Sequence, residues 1–133
     1  IDAYLAALPA GVAPRILGSR SVFVADDRQL ALELADTGLR RSAARSGTFR
    51  PASDTSPEAL IASFDSHVGT ARDVIASLGQ DSALARVTDV AFQVHSIDPP
   101  HALILRSLEL IATEVAPALG WTAAVHQKRK EVA

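Results

Sequence analysis

One pattern occurs three times along the chain: a short apolar run typical of a β-strand is followed by residues with helical spacing. The runs lie at residues 15–25, 66–69 and 87–95. Strands that are each followed by a helix favour a parallel sheet, because a parallel connection needs a crossover segment. The sequence therefore predicts an α/β fold with three strand–helix units. A doubly wound sheet and part of a (β/α)₈ TIM barrel both satisfy this pattern.

Capping signals precede the first two predicted helices. Asp26 followed by Gln29 resembles a capping box for the first helix, and Thr70 with Asp73 resembles one for the second. Such pairs satisfy the backbone N–H groups that the first turn of a helix leaves free. Both helices are therefore expected to begin directly after their strands.

The relation between strands and helices can also be predicted. We expect residues 22–24 and 90–94 to lie in parallel strands of one sheet. The apolar spacing predicts helices at residues 27–41 and 101–119, and we expect both to pack outside that sheet.

Residues 42–58 interrupt the pattern. This stretch is rich in Ser, Thr, Pro, Gly and Ala and has no apolar period, so it is predicted to be a long loop. Loops of this length are uncommon in compact domains and often act as lids. A lid within a single partial-barrel domain of residues 1–133 is one interpretation, and a solvated connector is the other.

The composition excludes several classes of function. Lys and Arg total 13 against 15 Asp and Glu, and the basic residues are scattered, which gives no reason to expect nucleic acid or an anionic membrane as partner. The chain has no Cys, and its apolar stretches are far shorter than a membrane span. Because it begins with Ile1 and contains no Met, we expect a piece of a larger protein. Because it has neither a signal-peptide pattern nor a membrane span, we expect this piece to be soluble and cytoplasmic.

Two segments carry a family resemblance. The runs HVGTARDVIASL and VTDVAFQVHSIDPPHALILRSLELIATEVAPAL resemble the C-terminal end of the bacterial luciferase-like, flavin-dependent monooxygenases. In that family a VGT segment opens the penultimate barrel helix, and the last helix closes with a phrase like ELFATEVAPAL. The resemblance extends over about residues 15–121. It implies that the chain supplies the last three strand–helix units of a TIM barrel.

The resemblance also implies an activity. Members of the family use reduced FMN, supplied by a reductase, or in some cases a deazaflavin, to oxidise a small organic substrate with O₂ through a flavin hydroperoxide. A whole barrel needs at least about 200 residues, so a missing N-terminal barrel half or a partner chain is expected, in a homo- or hetero-oligomer. The alternative is a non-catalytic partial-barrel subunit that has a structural or partner role.

Barrel active sites lie at the carboxyl ends of the strands, and this position selects the candidate residues. His95 ends the third strand and is the candidate acid–base group. Gln93 shares its face, and Ser96 follows it. Ser19 and Ser21 alternate on one face of the first strand. The resemblance implies that these four polar residues line the flavin and substrate cavity, although small hydroxyls also serve simply to fill a sheet.

Other polar residues favour structural roles. Arg20 interrupts an apolar strand, so it is expected to meet a carboxylate or an anion. His67 is a weaker site candidate, with a solvated loop position as the alternative. Asp26 and Asp27 are adjacent, which suits helix capping better than acid–base work. No spacing typical of a metal site is present.

Overall fold

The computed structural model describes residues 1–47 and 50–121. Its centre is a three-stranded parallel sheet made of β1 (Leu17–Val24), β2 (Ser66–Gly69) and β3 (Asp89–Gln93). Strands and helices alternate along the chain, which confirms the predicted α/β class. Three parallel strand–helix units are consistent with part of a TIM barrel.

The helices occupy most of the remaining chain. They are α1 (Asp2–Ala7), α2 (Arg28–Ser46), α3 (Pro57–Ser63), α4 (Ala71–Leu78), a 3₁₀ turn (Leu84–Arg86), α5 (His101–Leu110), a π turn (Ile111–Val115) and α6 (Ala116–Ala118). Within the described residues, no helix has the length and apolar character needed to cross a membrane.

The strand order is β2-β1-β3, so the first strand is central. Residues Leu17 to Ser21 of β1 pair with β3, while Ser21 to Val24 pair with β2. The expectation of parallel strands in one sheet is therefore confirmed, although β3 already ends at Gln93. Successive strands are neighbours in a closed barrel, whereas here β3 lies beside β1.

The two faces of the sheet carry two separate cores, both built on β1. Val22 and Val24 pack against buried residues of α4 and of the last helical segment. Phe23 and the following Ala25 pack against α2 and α3. The predicted helices at residues 27–41 and 101–119 thus cover opposite faces of the sheet. Helices on both faces explain why the end of β1 is continuously apolar.

A buried serine completes the hydrogen bonding of β1. Because β3 ends level with Ser21, the backbone N–H of Val24 has no strand partner on that side. The hydroxyl oxygen of Ser107, which is fully buried on α5, accepts this N–H at 2.9 Å. Ser107 therefore positions α5 against the carboxyl end of the central strand.

The start of α2 differs from the sequence prediction. The helix begins at Arg28 with Asp27 as its N-cap, and the Asp27 carboxylate accepts the N–H of Leu30 at 2.8 Å. The predicted Asp26–Gln29 capping box is therefore wrong by one residue. Asp26 instead accepts two hydrogen bonds from the Arg106 guanidinium on α5.

The predicted loop at residues 42–58 is shorter than expected. Helix α2 continues through Ser46 and ends at Gly47, whose φ of 66° forms a left-handed cap, and α3 begins at Pro57. Alanine-rich residues sustain the helix despite the lack of an apolar period. The Arg40 guanidinium holds the described part of the loop by donating to the carbonyls of Ala52 and Thr55 at 3.1 and 2.6 Å. Residues 48 and 49 of the predicted loop lie outside the described residues.

The VGT segment has a direct structural explanation. Gly69 ends β2 with a φ of 150°, a conformation that favours glycine. Thr70 is the N-cap of α4, and a capping box with Asp73 is formed as predicted. The segment turns the chain from strand to helix within two residues.

The last predicted helix, residues 101–119, is present as α5, the π turn and α6. Pro117 lacks a backbone N–H, and its ring interferes with the carbonyl four residues earlier, which explains the wider π turn before it. Gly120, with a φ of 80°, ends the helical segment as expected.

Candidate functional site

Four of the five predicted site residues form one hydrogen-bonded group, which we call the serine–glutamine cluster: Ser19, Ser21, Gln93 and Ser96. The Gln93 amide donates to the Ser19 hydroxyl at 3.3 Å, and the hydroxyls of Ser21 and Ser96 are 2.9 Å apart. The Ser96 hydroxyl also donates to the Gln93 carbonyl at 3.2 Å. Ser21 is therefore the donor in the hydroxyl pair.

The register of β1 and β3 brings these residues together. Ser21 pairs with Gln93, and Ser19 pairs with Ala91, so strand alternation places Ser19, Ser21 and Gln93 on the same face. Ser96 joins them from the turn that follows β3. Helices cover this face only near Phe23, and Ser19 and Gln93 remain exposed. The cluster thus lies at the carboxyl end of β3, where the sequence placed the site.

His95, the predicted catalytic residue, lies outside the cluster. Its side chain is exposed and makes no hydrogen bond or ion pair within the part of the chain described by the structure. Its carbonyl accepts the N–H of Asp98 at 2.9 Å, which closes the turn after β3. Among residues 1–47 and 50–121, no side chain orients the imidazole for acid–base work.

The space beside the cluster is small. A cleft lined by Ser21, Ser96, Val94 and Ile97, among others, has about 150 Å³ of empty volume, and almost none of it is wide enough for a water molecule. Sites for small molecules usually measure about 300 to 1,000 Å³. The cluster is therefore one polar wall and not an enclosed pocket.

Arg20 meets a carboxylate, as the sequence predicts. Its Nε donates to Asp81 Oδ2 at 2.6 Å, and the two side chains are only 20% and 14% exposed. Asp81 also accepts the N–H groups of Ala83 and Leu84. The Arg20 guanidinium and these N–H groups hold the pKa of Asp81 below its usual range.

His67 is the titratable residue whose environment sequence reasoning missed. It is 8% exposed, its Nδ1 lies 2.7 Å from the Ser77 hydroxyl, and its Nε2 has no hydrogen-bond partner among the described residues. Burial lowers its pKa, although the carboxylates of Asp65 and Asp81 oppose this effect. It is therefore not the solvated loop histidine that was the alternative expectation. No local sequence signal marks this burial, because His67 alternates in β2 with half-buried Ser66 and Val68 only once the strand is packed.

We expect His67 to make the fold sensitive to mild acid. Because its pKa in the folded state lies below the unfolded value of about 6.5, the unfolded chain takes up a proton first as the pH falls. The free energy of unfolding should therefore decrease as the pH falls from 7 through the folded pKa. Urea titrations at several pH values check this. His67→Asn should flatten this pH dependence of the free energy of unfolding, and an unchanged dependence in the variant would contradict the prediction.

No metal site is apparent in residues 1–47 and 50–121, where no group of three or more His, Asp or Glu side chains is arranged to hold an ion.

The fold is similar to that of a type II Baeyer–Villiger monooxygenase, the oxygenating constituent of 3,6-diketocamphane monooxygenase from the CAM plasmid of Pseudomonas putida, in complex with FMN. The TM-score is 0.52 at 24% sequence identity, and the match covers 81% of this chain and 35% of that chain. The present chain thus spans about a third of the length of that protein. At this identity the likeness establishes the fold alone. No protein-family model matches the chain, and its sequence matches no curated protein.

Proposed function

We propose that the chain is the C-terminal part of an FMN-dependent monooxygenase of the luciferase-like family, which oxidises a small organic substrate with O₂. The observation that carries the proposal is the serine–glutamine cluster, placed at the carboxyl end of a strand in a fold similar to an FMN-bound oxygenase. In this proposal the protein is cytoplasmic and oligomeric. Bound FMN would supply the oxygen chemistry, and the protein would supply orientation and exclusion of water.

The donors of the cluster suit a flavin, but the space does not. Serine hydroxyls and the Gln93 amide can hydrogen-bond the polar edge of a flavin ring. The adjacent cleft of about 150 Å³ is too small for such a ring, and the cluster groups are occupied with one another. The described residues therefore do not form an FMN site by themselves. Under the proposal, the polypeptide corresponding to the other two thirds of the relative completes it.

Flavin titration tests the proposal. We expect the 133-residue chain alone to leave FMN fluorescence unchanged, and a longer polypeptide that contains it to quench FMN fluorescence to saturation. In the longer protein, Gln93→Ala should weaken FMN binding about fivefold or more, as expected for loss of one hydrogen bond. The control Gln80→Ala, on a turn away from the cluster, should have no effect. If FMN binding is saturable but unaffected by Gln93→Ala, the FMN site does not include the serine–glutamine cluster.

His95 remains the proposed acid–base residue of the complete enzyme. If the imidazole transfers a proton during turnover, His95→Ala should lower kcat about 10²-fold or more in the full-length protein. Because the side chain is exposed here, the melting temperature should change by only a few degrees. Steady-state kinetics and a thermal melt check both statements, and an unchanged kcat would remove His95 from the site.

The loop between α2 and α3 is proposed to act as a lid in the complete enzyme. Lids exclude water and protect reactive intermediates. Deleting residues 47–55 should leave FMN binding largely intact but raise the release of hydrogen peroxide per substrate oxidised. A peroxide assay coupled to product analysis measures this. Unchanged coupling would show that the loop is only a connector.

A non-catalytic partner subunit is the second candidate. This candidate is favoured because β1 has a strand on each side and helices on both faces. Such a covered central strand is typical of a chain that folds without further strands. If this candidate is right, the chain alone should unfold cooperatively. Longer polypeptides that contain it should then fail to bind FMN.

A further inference from the structure

Ser96 enters the serine–glutamine cluster from a turn and not from a strand. Strand β3 ends at Gln93, and the residues that follow lead to α5, which begins at His101. The Ser96 hydroxyl lies 2.9 Å from that of Ser21 and donates to the Gln93 carbonyl. The position of this hydroxyl therefore depends on the contacts that fix the turn, and not on strand pairing.

Helix α2 packs directly against this turn. Ile97, the residue after Ser96, is 2% exposed and belongs to the core that α2 and α3 form on Phe23. Its carbonyl lies so close to Gly38 of α2 that a Cβ on residue 38 would overlap it. One turn further along α2, the Arg41 guanidinium donates to the Asp98 carboxylate at 2.6 Å. Two consecutive residues of the turn, 97 and 98, are thus in contact with α2.

Asp98 has a backbone conformation that the local sequence does not favour. Its φ is 54°, in the left-handed region, where residues other than glycine are uncommon. The next residue is Pro99, and a residue before proline prefers extended backbone with negative φ. Two contacts oppose this preference: the Asp98 N–H donates to the His95 carbonyl at 2.9 Å, and the Asp98 carboxylate binds Arg41. Of these two contacts, the ion pair is the one that connects Asp98 to α2.

We propose that Arg41 is a positioning residue for the serine–glutamine cluster: by binding Asp98, it keeps the turn in the conformation that brings the Ser96 hydroxyl to Ser21. The hydrogen bond of Arg41 goes to Asp98 and not to a cluster residue, so Arg41 acts through the turn. Its effect on the cluster can be measured on this chain, whereas its effect on flavin binding rests on the proposed function.

NMR of the 133-residue chain tests the positioning. In Arg41→Gln, the nuclear Overhauser effect between the β protons of Ser21 and Ser96 should weaken, and so should the strong effect between the amide and α protons of Asp98 that reports positive φ. Exchange of the Asp98 amide with solvent should become about threefold faster, in keeping with the loss of an exposed ion pair. Arg41→Lys keeps the charge and should restore all three signals. The control Arg45→Gln, at an exposed position one turn further along α2, should change none of them.

A stability measurement separates positioning from a general structural role. The side chains of Arg41 and Asp98 are 53% and 55% exposed, so Arg41→Gln should move the midpoint of urea unfolding very little. Asp98→Ala removes the other partner of the ion pair, and in that background Arg41→Gln should not weaken the contact between Ser21 and Ser96 any further. An unchanged contact between Ser21 and Ser96 in Arg41→Gln, or a failure of Arg41→Lys to restore it, would overturn the proposal.

Flavin titration of the longer polypeptide provides a second measurement. There Arg41→Gln should weaken FMN binding about threefold, and Arg41→Lys should bind FMN as tightly as the unchanged protein. If no longer polypeptide binds FMN, the proposed function is wrong, and the NMR result on the 133-residue chain still decides the role of Arg41. If Arg41→Gln disrupts the contact between Ser21 and Ser96 but binds FMN with full affinity, Arg41 positions the cluster and the proposed FMN site is wrong.

Discussion

Gly38→Ala should destabilise the fold by at least about 4 kcal/mol, enough to unfold a domain of ordinary stability. A Cβ at residue 38 would lie 1.7 Å from the carbonyl oxygen and 2.5 Å from the carbonyl carbon of Ile97. These are backbone atoms of the turn after β3, so no side-chain rotation can relieve the overlap. Helix α2 would have to separate from this turn, which would expose the core around Phe23.

The same substitution would be mildly favourable in an unpacked helix. Alanine is preferred over glycine in a helix interior by about 1 kcal/mol, so the sequence of α2 retains glycine against its helix propensity. Thr37→Ala, at the exposed neighbouring position, is the control and should leave stability unchanged or slightly raised. Circular dichroism during urea unfolding measures both variants. A Gly38→Ala protein with a normal midpoint would show that α2 does not approach the turn this closely.

Asp81→Ala should lower the free energy of unfolding by about 3 kcal/mol, which is the second largest effect that we expect. It removes the carboxylate that pairs with Arg20 and caps the N–H groups of Ala83 and Leu84. The Arg20 guanidinium, 20% exposed, would then lose its only carboxylate partner among the described residues. Removing one member of a mostly buried pair costs more than the pair itself contributes.

A double-mutant cycle separates the pair from the caps. Arg20→Met keeps much of the side-chain volume and removes the charge, so it should cost less than Asp81→Ala. In the Arg20→Met background, Asp81→Ala should lower the free energy of unfolding only by the contribution of the two hydrogen bonds from the N–H groups of Ala83 and Leu84. Because the pKa of Asp81 is lowered in the folded state, the contribution of the pair should persist above the unfolded value and disappear as the pH falls through the folded pKa. If the losses in the free energy of unfolding for Arg20→Met and Asp81→Ala simply add in the double variant, the two side chains are not coupled and the prediction is wrong.

Features with a local cause could be predicted from the sequence. The Thr70–Asp73 capping box depends on two residues three positions apart, and the shared face of Ser19 and Ser21 depends only on strand alternation. Asp27 rather than Asp26 caps α2, and Asp26 instead binds Arg106, which is 80 residues away. The sequence around the helix start does not reveal this distant partner.

The features that could not be predicted depend on contacts between residues far apart in the sequence. The sequence could predict that Arg20 needs a carboxylate partner. It could not predict that this partner is Asp81, which is 61 residues away. The strand order has the same origin, because each strand–helix pattern is local and leaves the neighbour of each strand open. The surroundings of His67 also depend on how α4 and β1 meet β2, which alternation alone does not specify.

The central position of β1 has a consequence for the order in which the fold forms. Its register with β3 pairs residues 72 positions apart, such as Leu17 and Asp89, whereas its partners in β2 are closer in sequence. Bringing distant segments together costs more chain entropy and slows their association. The β1–β3 edge should thus form late and open early. Because the serine–glutamine cluster bridges that edge, the candidate site is assembled only when the last strand is in place.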